Sequence, residues 1–287
     1  MSGQPAPSPT IPAGTSGRTA LEVAEEAARA AGRIIMDRFV AAMGVDPART
    51  VRITYKEPDH IVTDVDHAAE RVIIEILQRE FPGHGVLAEE SGRTAGRGEF
   101  TWVVDPLDGT RNFAAGVPHF AVSIALARSD DVLMGLTYDP ARDELFHAEA
   151  GRGTYLNGVR VSVSEVESLD RSIVGFDIGP INERAGLLLD VLRDLWRDIL
   201  AIRILGSAAL GYAYAAAGRV QLYAHHHLAP WDVAAGLVLV REAGGVVTDL
   251  QGARARIEST AAMAGNEALQ AQFMAATEGS AWRDIGA

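Results

Sequence analysis

Four carboxylates and a threonine carry the chemistry this sequence can perform. Glu89 follows the apolar run Val86-Leu87-Ala88. Asp105 and Asp108 stand three residues apart in Trp102-Val103-Val104-Asp105-Pro106-Leu107-Asp108-Gly109-Thr110, and Asp232 lies more than a hundred residues on, in Pro230-Trp231-Asp232-Val233. Acids placed where a buried strand stops point into a shared cleft, and without a cation such crowding raises a pKa or wastes electrostatic energy. A divalent metal resolves the conflict, and hard oxygen ligands suit Mg²⁺ or Mn²⁺. Two such ions about 3.5–4 Å apart share an attacking water and a phosphoryl oxygen, the arrangement for in-line displacement. The Thr110 hydroxyl is placed to orient that water, with Asp66 or Glu89 to draw the proton away. In the competing reading Asp105 caps a turn, Asp232 caps a helix and no metal is involved, because Asp, Pro and Gly are ordinary turn residues. Spacing alone leaves both readings open.

The elements that must position these residues follow from periodicity. Apolar residues at helical spacing predict a long amphipathic helix from Ala20 to about Met43, with Thr19 as its cap. A second helix is expected from Asp66 to about Glu80, with Asp66 near the positive end of its dipole. Val86–Ala88 and Trp102–Val104 read as short buried strands, and Ser91–Gly98 as a polar loop beside the cleft. Strands follow at Ala121–Ala127, Asp131–Tyr138, Asp143–Ala150 and Gly153–Leu156, with Asn157-Gly158 as a hairpin turn. Beyond a boundary near 160–165 the pattern restarts. Strands are expected at Ser172–Phe176, Val220–Tyr223, Val246–Thr248 and Ala261–Ala264. Helices are expected at Asn182–Ile199, Ala208–Ala217, Asp232–Ala243 and Glu267–Ala276. Irregular alternation of single and paired strands with helices indicates mixed α/β layers, not a regular βαβ barrel. The domain reading is a disordered extension over 1–18, an N-terminal α+β domain over 19–162 carrying most of the acids, and a C-terminal α/β domain over 163–287 that completes the site.

Composition narrows the function classes. The chain of 287 residues is 48% apolar, enough for a substantial core, and contains no cysteine. Disulfides, thiolate zinc sites and a cysteine nucleophile are therefore excluded, and a reducing, cytoplasmic setting is expected. A net charge of −12 without a Lys/Arg-rich stripe argues against a nucleic-acid partner. It does not argue against a small phosphorylated substrate, since bound metals reverse the local field. Residues 1–18 lack the basic start and apolar core of a signal peptide, and no apolar run is long enough to span a membrane.

Taken together, three segments resemble the inositol monophosphatase family of Mg²⁺-dependent, lithium-sensitive sugar and polyol phosphatases. They are Glu89-Glu90-Ser91 after an apolar strand, WVVDPLDGTRNF at 102–113, and WDVAAG at 231–236 followed by EAGG at 242–245. The match covers roughly residues 20–270. The resemblance implies an αβαβα layered sandwich, a homodimer, and two or three Mg²⁺ ions, with Mn²⁺ able to take their place. It implies Glu89, Asp105 and the Leu107 carbonyl as ligands of one metal, and Asp105, Asp108 and Asp232 as ligands of a second. Glu89 and Asp66 would hold a third. Thr110 paired with Asp66 would activate the water, the amides of Gly109 and Thr110 would receive the phosphate, and Lys56 would stand near the catalytic mouth.

The substrate side departs from that family pattern. Gly206-Ser207-Ala208 resembles the segment lining the polyol pocket, though small residues opening a packed helix explain it equally well. Where inositol-selective members carry a glutamate touching ring hydroxyls, this chain has His225, within Ala224-His225-His226-His227. Adjacent strand residues face opposite sides, which disfavours a zinc site built from the three histidines. His225 then either faces the substrate or packs locally, and Asp177 either approaches the sugar or serves a turn. The expected reaction is hydrolysis of a small phosphate monoester by metal-activated water, with myo-inositol 1-phosphate as lead substrate. Histidinol phosphate, fructose 1,6-bisphosphate and, more distantly, 3′-phosphoadenosine 5′-phosphate compete with it. A non-catalytic scaffold descended from the family is the reading from a different class.

Overall fold

A computed structural model describes residues 11–44, 52–57, 60–179 and 183–284. Helix α1 (Ala20–Gly44) starts at Thr19, whose hydroxyl accepts from the Glu22 amide at 3.2 Å while its own amide donates to the Glu22 carboxylate at 2.8 Å. Its stripe Val23, Ala24, Ala27, Ala28, Ala31 and Ile35 is fully buried, the spacing of one helix face. A hairpin of β1 (Ile53–Glu57) and β2 (His60–Thr63) leads into α2 (Asp64–Glu80). Asp66 closes a capping box there, its carboxylate accepting from the Thr63 amide at 2.8 Å and from the Thr63 hydroxyl.

Eight strands then form one sheet: β3 (Gly85–Ala88), β4 (Gly92–Thr94), β5 (Phe100–Asp108), β6 (Ala121–Arg128), β7 (Asp131–Asp139), β8 (Glu144–Glu149), β9 (Gly153–Leu156) and β10 (Val159–Val161). Their order is β10-β9-β8-β7-β6-β5-β3-β4, with only β3 and β5 parallel. A five-stranded sheet follows, ordered β12-β11-β13-β15-β14: β11 (Ile173–Asp177), β12 (Ala201–Ile204), β13 (Leu222–His225), β14 (Val246–Thr248) and β15 (Ala262–Gly265). Short α3 (Thr110–Ala114) follows β5, and the remaining helices are α4 (Glu183–Leu195), α5 (Ala208–Ala216), α6 (Pro230–Glu242) and α7 (Glu267–Ala276).

Among the described residues, three large cores stack these elements into αβαβα layers, beside a small cluster of Ala121, Ala209 and Leu210. One joins α1 and α2 to the eight-stranded sheet, and one joins α5 and α6 to the inner faces of both sheets. The third joins α4 and α7 to the far face of the smaller sheet. Burial at this scale contributes about 25 cal/mol per Å² of apolar surface, so the middle helices are the main adhesive between the sheets. The sheets change over between Val161 and Ile173, while the middle core runs across that point.

Several local expectations are corrected. The strand of Trp102–Val104 does not stop at Asp105; β5 runs on to Asp108, its pairing with β6 broken by a bulge between the two aspartates. Pro106 removes a ladder donor there, which suits a bulge. Gly92–Thr94 forms β4 instead of loop. The strand expected at Val220–Tyr223 lies at Leu222–His225, because the amides of Arg219 and Val220 close the end of α5 on the Tyr214 carbonyl. The helix expected to Ile199 ends at Leu195, where the chain turns back to lay β12 beside β11. Of the extension expected over 1–18, residues 11–18 are among the described residues. Ile11 packs on the first core, and the Ser16 hydroxyl and amide donate to Glu80 at 2.7 and 3.2 Å. Residues 1–10 lie outside the described residues.

Candidate active site

A cleft of about 450 Å³ opens where β5, α3, β11, β13 and the N-termini of α5 and α6 meet. The bulge in β5 turns both of its aspartates toward this cleft. Asp105, Asp108 and Asp232 each offer a carboxylate oxygen within 4.8 Å of the others'. Asp105 and Asp108 are buried, and Asp232 is half-buried at the first turn of α6. Glu89, at the end of β3, lines the same cleft.

Each acid is held from behind. Asp105 accepts from the Leu107 amide at 3.0 Å. Asp108 lies across the start of α5, where it accepts from the Ala208 and Ala209 amides at 3.2 and 3.0 Å and from the Ser207 hydroxyl. Asp232 accepts from the Ala229 amide at 2.7 Å, a capping bond at the start of its own helix. These bonds fix the oxygens but do not cancel their charge. Burial, and then the charges of Glu89, Asp108 and Asp232, raise the Asp105 pKa well above the usual carboxylate range. Burial lifts Asp108 to about 7, opposed by Ser207 and the two amides. Asp232 is raised by burial and by the charge of Asp108. Converging hard oxygens that repel one another to this degree suit a hard divalent cation.

Thr110 stands next to this trio. Gly109 makes the preceding turn with φ +87°, and a side chain there would meet the His119 carbonyl at 3.0 Å and the Gly206 carbonyl at 3.2 Å. The Thr110 hydroxyl lies 3.0 Å from an Asp66 oxygen and 2.9 Å from the Leu107 carbonyl. Its single proton serves one of them at a time. Asp66 sits behind Thr110 at the buried start of α2, where burial lifts its pKa to about 6.

The other side of the cleft is formed by the smaller sheet. His225 is the last residue of β13 and lines the cleft. Its Nδ1 accepts from the His227 amide at 3.0 Å, which places the proton of the neutral ring on Nε2, and burial pushes its pKa down to about 3. His226 turns to the opposite face, edge-on to Trp282. Among the described residues, the one cluster able to hold a metal is the aspartate trio, so the three histidines do not converge. Ser207 and Ala208 line the cleft while holding Asp108. Lys56 lies in β1, and its side chain falls outside the described residues.

Two cleft residues carry more structure than their sequence context indicates. Asn112 donates to the carbonyls of His119, Leu205 and Gly206 at 2.8, 3.0 and 3.2 Å. Asp177 accepts from the Leu205 amide at 3.1 Å, from the Gly206 amide, and from the Tyr223 hydroxyl at 2.6 Å. The sequence marks Asp177 as a residue that either approaches the sugar or serves a turn, and Asn112 only as a member of its motif; neither reading contains these bonds.

A family model described as the inositol monophosphatase family matches residues 17–281. An inositol-1-monophosphatase of Mesorhizobium japonicum is 38% identical over 260 residues, covering 90% of this chain and 96% of that protein. The Nus factor SuhB of Escherichia coli K12 is 40% identical over 249 residues, covering 86% of this chain and 91% of its own. The crystal structure of extragenic suppressor protein suhB from Bartonella henselae superposes with a TM-score of 0.85 at 36% identity, over 90% of this chain and 98% of that one. With the layered fold and the cleft acids in place, these matches make the chain a phosphoric monoester hydrolase belonging to the inositol monophosphatase family.

Proposed function

We propose that this protein is a Mg²⁺-dependent phosphatase of small polyol or sugar phosphates, with myo-inositol 1-phosphate as lead substrate. The observation that carries the reading is the convergence of Asp105, Asp108 and Asp232 within 4.8 Å in a cleft also lined by Glu89 and Thr110. In this reading Asp105, Asp108 and Asp232, with Glu89 and the Leu107 carbonyl, hold the metals, and Asp66 with Glu89 holds a third. Bound there, Mg²⁺ neutralises the phosphate and lowers the pKa of a coordinated water. The Thr110 hydroxyl orients the attacking water and Asp66 receives its proton through that hydroxyl. The Gly109 and Thr110 amides meet the phosphate. Ser207, Ala208 and His225 contact the leaving alcohol, and Lys56 stands at the mouth. Mn²⁺ replaces Mg²⁺ in this scheme.

The working state in this reading is a cytoplasmic homodimer, with 19–162 and 163–287 as its two domains. Among the described residues no helix is long and apolar enough to cross a membrane. The relatives named Nus factor SuhB favour a second reading, in which the protein also serves a partner unrelated to phosphate esters. The net charge of −12 supports the absence of a direct nucleic-acid contact.

The deciding experiment compares myo-inositol 1-phosphate, histidinol phosphate, fructose 1,6-bisphosphate and 3′-phosphoadenosine 5′-phosphate at equal Mg²⁺, with RNA binding scored on the same preparation. Selective turnover of the inositol ester supports the proposal. Selectivity for another ester replaces the substrate, turnover of none of them counts against the catalytic reading, and RNA binding overturns the absence of a direct nucleic-acid contact.

A further inference from the structure

The turn at Leu205-Gly206 is gripped on both of its hydrogen-bonding sides. Its amides donate to Asp177, from Leu205 at 3.1 Å and from Gly206 at a shorter distance. Its carbonyls accept from Asn112, at 3.0 and 3.2 Å. Gly206 adopts φ +73°, and a side chain on it would come within 2.9 Å of the Asn112 amide nitrogen. The next three residues are those that hold Asp108: the Ser207 hydroxyl and the Ala208 and Ala209 amides. The other oxygen of Asp177 accepts from the Tyr223 hydroxyl at 2.6 Å, and Tyr223 is fully buried in the middle core. Hydrogen bonds therefore tie β13 through Asp177 to the turn, and the residues that follow the turn directly along the chain hold the carboxylate of Asp108.

We propose that Asp177 and Asn112 are positioning residues that fix the Asp108 carboxylate for metal binding by clamping the Leu205-Gly206 turn. This rests on the reading of Asp108 as a metal ligand. Asp177 touches neither metal nor substrate in this role. What it supplies is acceptor capacity for two backbone amides, and its negative charge is incidental. Asparagine at 177 keeps the acceptor oxygen for both amides and turns its NH₂ to Tyr223, whose hydroxyl can accept as well as donate. Alanine removes the acceptor of the Gly206 amide and of the buried Tyr223 hydroxyl, and leaves the Leu205 amide with the Phe176 carbonyl alone.

Mn²⁺ binding to the full chain, followed by electron paramagnetic resonance, separates the possibilities without relying on turnover. Residues that orient metal ligands commonly account for about 10–100-fold in affinity. Asp177→Ala is expected to raise the Mn²⁺ dissociation constant about tenfold or more, and Asp177→Asn to stay within about threefold of the parent. Should Asp177→Ala fail to fold, Asn112→Ala tests the same clamp from its carbonyl side and is expected to weaken Mn²⁺ by a similar factor. The proposal is overturned if Asp177→Asn weakens Mn²⁺ as much as Asp177→Ala, which would make charge the operative property. Unchanged affinity in Asp177→Ala or Asn112→Ala overturns it too. A parent protein that takes up no Mn²⁺ removes the metal-site reading and this inference with it. Normal Mn²⁺ uptake without hydrolysis of any ester counts against the proposed function alone.

Discussion

Asp105 has one backbone donor, the Leu107 amide, and otherwise faces Glu89, Asp108 and Asp232. Its charge is therefore compensated by a single backbone donor. Replacing Asp105 with asparagine keeps its shape and removes both a carboxylate ligand of the proposed metal and a repulsive charge. Asp105→Asn is expected to lower Mg²⁺-dependent phosphate release by at least about 100-fold, beyond the range of residues that merely orient ligands. The metal-free variant should melt no lower than the parent, because a buried carboxylate with a raised pKa is itself destabilising at neutral pH. Phosphate release by malachite green and a melting curve in EDTA check both statements. Residual activity near the parental level would remove Asp105 from the reaction. The three aspartates that converge were legible because carboxylates beside apolar runs are conspicuous in a sequence. The hold of Asn112 and Asp177 on the Leu205-Gly206 turn was not, since it joins side chains to backbone groups far away along the chain. No local pattern encodes such a contact.

Helix α5 shows how an element can serve the site by the way it starts. Ser207 accepts from the Leu210 amide at 3.3 Å as a cap, while its hydroxyl proton goes to Asp108. Loss of such a cap typically costs about 1 kcal/mol. Ser207→Ala is expected to lower stability by about that amount in urea unfolding and to raise the Mg²⁺ concentration for half-maximal activity, whereas Ser207→Thr retains both. Loss of stability with unchanged Mg²⁺ dependence would assign Ser207 to the helix alone. At this scale the sequence was most readable where one periodicity governs a whole element. The long helix at Ala20, the strands β6 and β7, and α7 lie within a residue or two of their expected limits. It was least readable where tertiary contact decides the boundary. The end of α5 captures Arg219 and Val220 and thereby delays β13. That delay seats His225 on the strand and on the cleft side. In β5 the same limit applies, because the pairing with β6 carries the strand through a proline and two aspartates that read locally as a turn.

At the scale of the whole molecule, the acids accumulated between the two sheets set how stability responds to pH and to cations. Asp66 and Asp177 are lifted to about 6 and Asp108 to about 7, while Asp105 and Asp232 are raised well above the ordinary range, in each case chiefly by burial. A carboxylate whose folded pKa exceeds its unfolded one favours folding below the unfolded value, and this contribution is lost as pH rises through the folded value. His119, His225 and His226 act in the other direction, since burial lowers them to about 4, 3 and 4. Their effect is confined to pH below their unfolded value of about 6.5. From about pH 6.5 to 8 the acids act alone, so metal-free protein should lose melting temperature across that interval. A divalent cation that binds the deprotonated trio releases protons, so the stabilisation by Mg²⁺ should grow as pH rises. Melting curves in EDTA and in excess Mg²⁺ at pH 6.5, 7.25 and 8 read both slopes. A metal-free melting temperature that rises with pH, or a Mg²⁺ increment independent of pH, would mean that the three aspartates do not share one cation-dependent charge. The fold would then hold its acids apart by hydrogen bonds alone, and the bulge in β5 and the start of α6 would be structural features with no metal to explain them.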